Sequence, residues 1–216
     1  MEPVVNLFLF RLFDSPWHYF SWVLLVAFAV CVHEYAHARV ALWHGDPTAA
    51  DQGHLTLDPT VQMGWPSIIT LLLFGIAWGA VPVNPSRLRK TDEVAVALAG
   101  PSANFVLSIL FAGVGAGLLR TGLVERVEGA PWLAVTAARA NATLMVFNLL
   151  PLPSLDGWQA LRACVPRLAN LERAQGVLIQ WWVLMLLFFT PLFSWVWAGG
   201  EFITSWILFG WMNLLY

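Results

Sequence analysis

The sequence predicts an all-α polytopic membrane protein, with about five to six membrane segments and a short strand or re-entrant region after its first long helix. Three observations carry this. Hydrophobic residues make up 59% of the 216 and charged residues only 11%, against roughly 45–50% and about 25% in ordinary soluble domains. Mean hydropathy is +0.69, and there are 13 Trp and 14 Phe. Apolar runs near bilayer length recur along the chain. A water-soluble fold of this size lacks the polar surface to cover so much apolar material. In lipid, those side chains can face outward.

The chain begins with an apolar but short stretch, residues 1–13, which Arg11 interrupts. It has no basic leader and no obvious small-residue cleavage site, so it does not read as a signal peptide. It is expected at the membrane surface. The first long apolar run, residues 17–43, is about one bilayer thickness of helix, with Trp17 and Trp43 at its ends as interfacial aromatics. Residues 45–65 are polar and turn-rich, with HLTL at 54–57 as a candidate short strand. Residues 66–83 are apolar, but Gly75, Gly79 and Pro82 interrupt them.

A second clear span covers 94–119 and a third covers 133–152, which ends in a break at Pro151 and Pro153. Residues 158–172 read as a polar connection or surface helix. Two further apolar stretches follow, 177–197 and 203–216. The basic clusters Arg87–Lys90 and Arg162–Arg173 are expected on the cytoplasmic side. The two spans between them agree. If Arg39 marks a cytoplasmic end of the first span as well, segment 66–83 enters and leaves on one side, as irregular backbone does only where it packs in protein or lines a wet cavity. The whole chain, 1–216, reads as one integral-membrane domain, with a catalytic core at about 17–165 and accessory spans at 174–216.

Net charge is −2, which gives no footprint for nucleic acid. Cys31 and Cys164 are too isolated for a disulfide framework, and both read as small buried apolar residues.

Residues 33–37 read HEYAH. Positions four apart share a helix face, so His33 and His37 point the same way and can bind one metal ion. Zinc held by two imidazoles and a carboxylate keeps one coordination position open for water. Glu34 stands where a base for that water is needed. A His-Glu-His cluster within a membrane helix is costly, which makes it a functional hypothesis by default. The plainer alternative is a pair of interfacial histidines, with Glu34 paired to Arg39. A third ligand is required, and Asp156 in NLLPLPSLDG is the leading candidate. Taken alone, it serves equally as ligand or as the cap of a following helix.

HEYAH and SLDG together resemble the site-2 protease family of intramembrane zinc metalloproteases. Four more stretches agree, in family order. GDPTAADQGHLTLDP resembles the family's GDPTxxxxGRLTLNP, and WGAVPVNPSRLR resembles GxAKPVPVNPxxxR. AGPSAN resembles AGPxxN, and NLLPLPSLDG resembles N-x-x-P-x-P-x-x-D-G. The resemblance spans about residues 20–165 and points to the short subgroup without appended PDZ or CBS domains.

The resemblance implies His33, His37 and Asp156 as ligands of one zinc ion per chain, with Glu34 as catalytic base. It implies a substrate- or intermediate-binding role for Asn148. The residue-level alternative for Asn148 is a hydrogen bond to carbonyls freed by Pro151 or Pro153. Asn104 is assigned to helix packing. His54, Asp58 and Ala80 depart from the family's Arg, Asn and Lys. His18, His44 and His54 read as loop or interface residues. The implied function is hydrolysis of peptide bonds within or near transmembrane segments of substrate proteins, in a multi-pass protein of the bacterial inner membrane. Its partners would be those membrane-spanning substrates and the bilayer. The rival is a catalytically silent scaffold that binds partner helices.

Overall fold

The structure, a computed structural model, describes residues 7–121, 129–165, 168 and 191–215. The helices are α1 (Arg11–Asp14), α2 (Pro16–Trp43), α3 (Thr48–Asp51), α4 (Pro59–Gln62), α5 (Gly64–Phe74), α6 (Lys90–Arg120), α7 (Ala130–Asn148), α8 (Asp156–Cys164) and α9 (Leu192–Leu215). Short 3-10 turns cover Phe8–Phe10 and Pro85–Arg87. Among the described residues there is no strand.

Helix α2 starts with Pro16 in its first turn, where proline's missing N–H is no loss. It runs for 28 residues, about 42 Å at 1.5 Å per residue. Helix α6 is the longest, at 31 residues. Asp92 in its first turn accepts from the Arg89 amide at 3.3 Å and the Arg89 guanidinium at 2.7 Å. These two helices are long and apolar enough to cross a membrane. The expected count of five to six crossings goes beyond them. Helix α7 ends four residues short of the expected 152, just before the break at Pro151. Residues 174–190 of the expected accessory spans, and with them most of 177–197, lie outside the described residues. Residues 192–215 of those spans form the single helix α9.

Helix α6 is the centre of the assembly and packs against α2, α7, α8 and α9. The contact faces are built from small residues: Ala29, Ala38 and Ala41 on α2, Ala112 and Ala116 on α6, and Ala137, Ala138 and Ala142 on α7. Small side chains let helix backbones approach closely, the usual solution where lipid supplies no hydrophobic drive between helices. Bulky apolar side chains point outward instead. They include Trp17, Leu24 and Phe28 on α2, Phe105 and Leu110 on α6, and Trp195, Phe202 and Phe209 on α9. Exposed apolar surface of this kind suits a lipid surround, while Val26, Val30, Met63 and Leu71 pack in a buried cluster.

Segment 66–83 divides in two. Helix α5 has 11 residues, about 16 Å long and half of a hydrocarbon core. It stops at Gly75, whose φ of 74° lies in the left-handed region. The chain then doubles back. The Trp78 amide donates to Ser67 Oγ at 2.9 Å, and the Ala80 amide donates to the Gln62 carbonyl at 3.1 Å. Ala80 therefore lies at the end of α5 from which the chain set out.

Two expectations are corrected. Residues 54–57 form no strand, because the carbonyls of His54 and Thr56 accept from the Gln62 side-chain amide at 2.8 and 2.6 Å rather than from a neighbouring strand. Cys164 is exposed, since it ends the short surface helix α8, whereas Cys31 is buried as expected.

Candidate metal centre

One turn of α2 carries the cluster. His33 and His37 project side by side with Nε2 atoms 3.0 Å apart. Asp156 Oδ2 lies 2.9 Å from His33 Nε2 and 3.4 Å from His37 Nε2. With metal–ligand bonds of about 2.0–2.1 Å, the edge of a tetrahedral zinc site is about 3.3 Å. The three atoms therefore stand at the mutual spacing such an ion imposes, and they fit it chemically as two imidazoles and a carboxylate. Exposure is 5% for His33, 7% for Glu34 and His37, and 8% for Asp156, so the site is screened from bulk water.

The local backbone explains why Asp156 arrives there. After α7, the Leu152 amide donates to the Leu150 carbonyl at 2.8 Å, and the Leu155 amide donates to the Leu152 carbonyl at 3.1 Å. Two prolines in this stretch forbid continued helix. Ser154 takes a φ of 79°, an uncommon conformation for a residue with a side chain. Asp156 is the first residue of α8, one place after the N-cap Leu155. Its carboxylate turns to the histidines.

Helix α6 supports both imidazoles along one face. His37 Nδ1 lies 2.7 Å from the Val96 carbonyl. A carbonyl can only accept, so Nδ1 carries a proton, and in the neutral ring Nε2 keeps its lone pair toward the cluster. One turn on, Gly100 faces the two rings. A Cβ there would overlap the Nε2 atoms of His33 and His37. A further turn on, Asn104 is fully buried with Oδ1 2.6 Å from His33 Nδ1. Glycine at 79 plays a similar part for Glu34, because a Cβ would overlap the glutamate's Cγ, Cδ and Oε1.

Gly79 belongs to a long irregular run. The Gly75 carbonyl accepts from Trp22 Nε1 at 2.9 Å, and the Asn84 amide donates to Asp46 Oδ2 at 2.6 Å. From Trp22 to its end at Trp43, α2 climbs about 32 Å. Residues 75–84, anchored at Trp22 and Asp46, therefore run alongside α2 and over Glu34. Trp78 and Ala80 bond toward α5. In extended chain the intervening residues face the other way. No hydrogen bond among the described residues engages the amides of Ala77, Gly79 or Val81.

Asp46 fastens the far end of this run. It is fully buried. Burial pushes its carboxyl up. The bonds from the Thr48 hydroxyl and from the amides of Asn84 and Thr48, with the nearby Arg87 charge, outweigh that and hold it below its ordinary 3.8. Asn148 does not join the cluster. Its Nδ2 donates to the Leu144 carbonyl at 3.0 Å within α7, rather than to carbonyls freed by the prolines. His44 pairs with Asp92 at 3.1 Å and His54 meets Gln62 at 3.4 Å, both away from the three ligand candidates. His18 packs edge-on against Trp132.

Over 191 residues, the chain is 35% identical to a Bacillus subtilis protein named "Putative zinc metalloprotease YwhC", covering 82% of this chain and 83% of that protein. The chain belongs to the site-2 protease family. It is also 31% identical over 184 residues to the Mycolicibacterium smegmatis protein named "Putative zinc metalloprotease Rip2", covering 79% of this chain and 68% of the relative. The Mycobacterium tuberculosis protein of the same name is 34% identical over 142 residues, 62% of this chain and 52% of the relative. No family model and no solved structure matches. Within the family frame, sequence reasoning missed Gly79, Gly100 and Asp46, and it placed Asn104 in packing only. AGPSAN carries the signal for two of them, since Gly100 and Asn104 lie four apart on the face that meets the histidines.

Proposed function

We propose that this chain is an intramembrane zinc metalloprotease that hydrolyses peptide bonds within or near transmembrane segments of its substrates. The carrying observation is the buried cluster of His33, His37 and Asp156, with Glu34 beside it on the same turn. Names of family members that call them zinc metalloproteases favour the same chemistry.

His33 Nε2, His37 Nε2 and an Asp156 oxygen would hold one zinc ion. Zinc supplies a Lewis acid that brings the pKa of water to about 7. Glu34 takes the proton of the attacking water and returns it to the leaving nitrogen as the peptide bond breaks. Asn148 is assigned to substrate or intermediate binding, which requires its side chain to leave the Leu144 carbonyl.

A substrate helix offers no free main-chain groups, because its carbonyls are already bonded, so the scissile stretch enters extended. Residues 75–84 suit that need. One edge is tied to Ser67 and Gln62, and the other presents Ala77, Gly79 and Val81. A peptide added to that edge as a strand would lie over Glu34. The out-and-back path of residues 64–80 favours a re-entrant segment, and the family favours a multi-pass position in a bacterial inner membrane. A scaffold that only binds helices has no use for Glu34.

The test is metal-dependent cleavage of single-span substrates in detergent, wild type against Glu34→Gln. Equal cleavage by the two proteins would end the reading.

A further inference from the structure

Two buried asparagines stand behind His33, and the directions of their hydrogen bonds are fixed. Asn141 Nδ2 donates to the Ala137 carbonyl at 2.9 Å. That leaves Asn141 Oδ1 to accept from Asn104 Nδ2 at 2.9 Å, and Asn104 Nδ2 also donates to the Ala29 carbonyl at 3.2 Å. Both acceptors at this end of the Asn104 amide lack protons, so the amide cannot flip without placing oxygen against oxygen. Its Oδ1 is therefore turned to His33 Nδ1, at 2.6 Å. An amide oxygen only accepts, so His33 must carry its proton on Nδ1. In the neutral ring the Nε2 lone pair is then directed at His37 Nε2 and Asp156 Oδ2. Asn104 and Asn141 are 0% and 1% exposed, so no water competes to reorient them.

We propose that Asn104 is a positioning residue that locks His33 in its metal-binding tautomer, and that Asn141 on α7 fixes the sense of Asn104 without touching the site. The inference rests on the reading of His33 as a ligand. It deepens the common rule that the second nitrogen of a ligating histidine needs an acceptor by placing the control of that acceptor one helix further away. The two histidines are served differently. His37 uses a backbone carbonyl, which cannot be reversed, whereas His33 uses a side-chain amide, which needs Asn141 to be unambiguous.

The experiment is zinc affinity of the purified full chain, by competition with a chromophoric chelator. It compares wild type, Asn104→Leu, Asn104→Asp, Asn141→Leu and Ser108→Ala, with helix content checked by circular dichroism. Ser108, one turn beyond Asn104 on α6, is buried without a hydrogen-bond partner among the described residues and controls for packing. Loss of an outer-shell partner typically weakens metal binding about 10–100-fold. That loss is expected for Asn104→Leu and Asn141→Leu. Asn104→Asp retains an acceptor at His33 but sets its second oxygen against the Ala29 carbonyl and Asn141 Oδ1, so its affinity is expected between those of wild type and Asn104→Leu, and Ser108→Ala is expected unchanged. Equal affinity in Asn104→Leu and wild type overturns the proposal, as does an equal loss in Asn104→Asp and Asn104→Leu. If Asn104→Leu does not fold, Asn141→Leu decides by the same threshold. Wild type that binds no zinc overturns the metal reading itself, a result distinct from bound zinc that is indifferent to the asparagines.

Discussion

Gly100 of α6 sits against His33 of α2 so closely that no side chain fits between them. The metal candidates are thus gauged by a neighbouring helix as well as by their own spacing. Gly100→Ala is expected to push the imidazoles apart and cut zinc occupancy at least tenfold, because both Nε2 atoms lie in the path of the new methyl. Metal analysis of the purified variant checks this. Full occupancy would mean that α6 yields instead of the histidines.

Glu34→Gln should retain zinc and lose cleavage. The glutamine keeps the shape under Gly79 but cannot take a proton. Metal content and cleavage measured on one preparation separate the two roles, and zinc loss in this variant would move Glu34 into the ligand set.

Asp156→Ala is expected to lose most of its zinc while α8 still forms, since the carboxylate lies against His33 and the N-cap of α8 is Leu155. One zinc per chain in that variant would remove Asp156 from the ligands.

Asp46 predicts a pH dependence of stability. Its carboxyl is held below 3.8 in the folded chain, so it stabilises the fold at neutral pH. That contribution falls away as pH drops from 3.8 through the lower folded value. Asp46→Asn should flatten this part of an acid-unfolding profile in detergent. A variant profile parallel to wild type across that window would falsify the assignment.

Ala77→Pro removes an amide from the free edge of residues 75–84. Cleavage of protein substrates is expected to fall tenfold or more with zinc content unchanged. Unaltered cleavage would place the substrate elsewhere.

Much of this was legible in the chain. Residues 33–37 specify their own geometry, because helix spacing alone puts His33 beside His37. The long apolar runs around α2 and α6 are equally self-declaring. Asp156 was ambiguous, since an aspartate at a helix start caps as readily as it ligates. The irregular turn through Ser154, which aims it, has no periodic signature. Asn104 looked like packing because its partner lies 71 residues away. HLTL looked like a strand, since alternation cannot reveal that Gln62 would satisfy its carbonyls. The return path of 75–84 depends on Ser67 and Asp46, contacts that no local pattern encodes.

The sequence separation of 123 between His33 and Asp156 gives the candidate metal centre a second consequence. An ion bound to both would act as a cross-link that closes a very long loop, and it would draw α2, α6 and α8 into one cooperative unit. Folded chain and zinc are then thermodynamically linked. Free zinc at one hundred times its Kd would raise stability by about 2.7 kcal/mol. A chelator would act on this protein as a denaturant as much as an inhibitor.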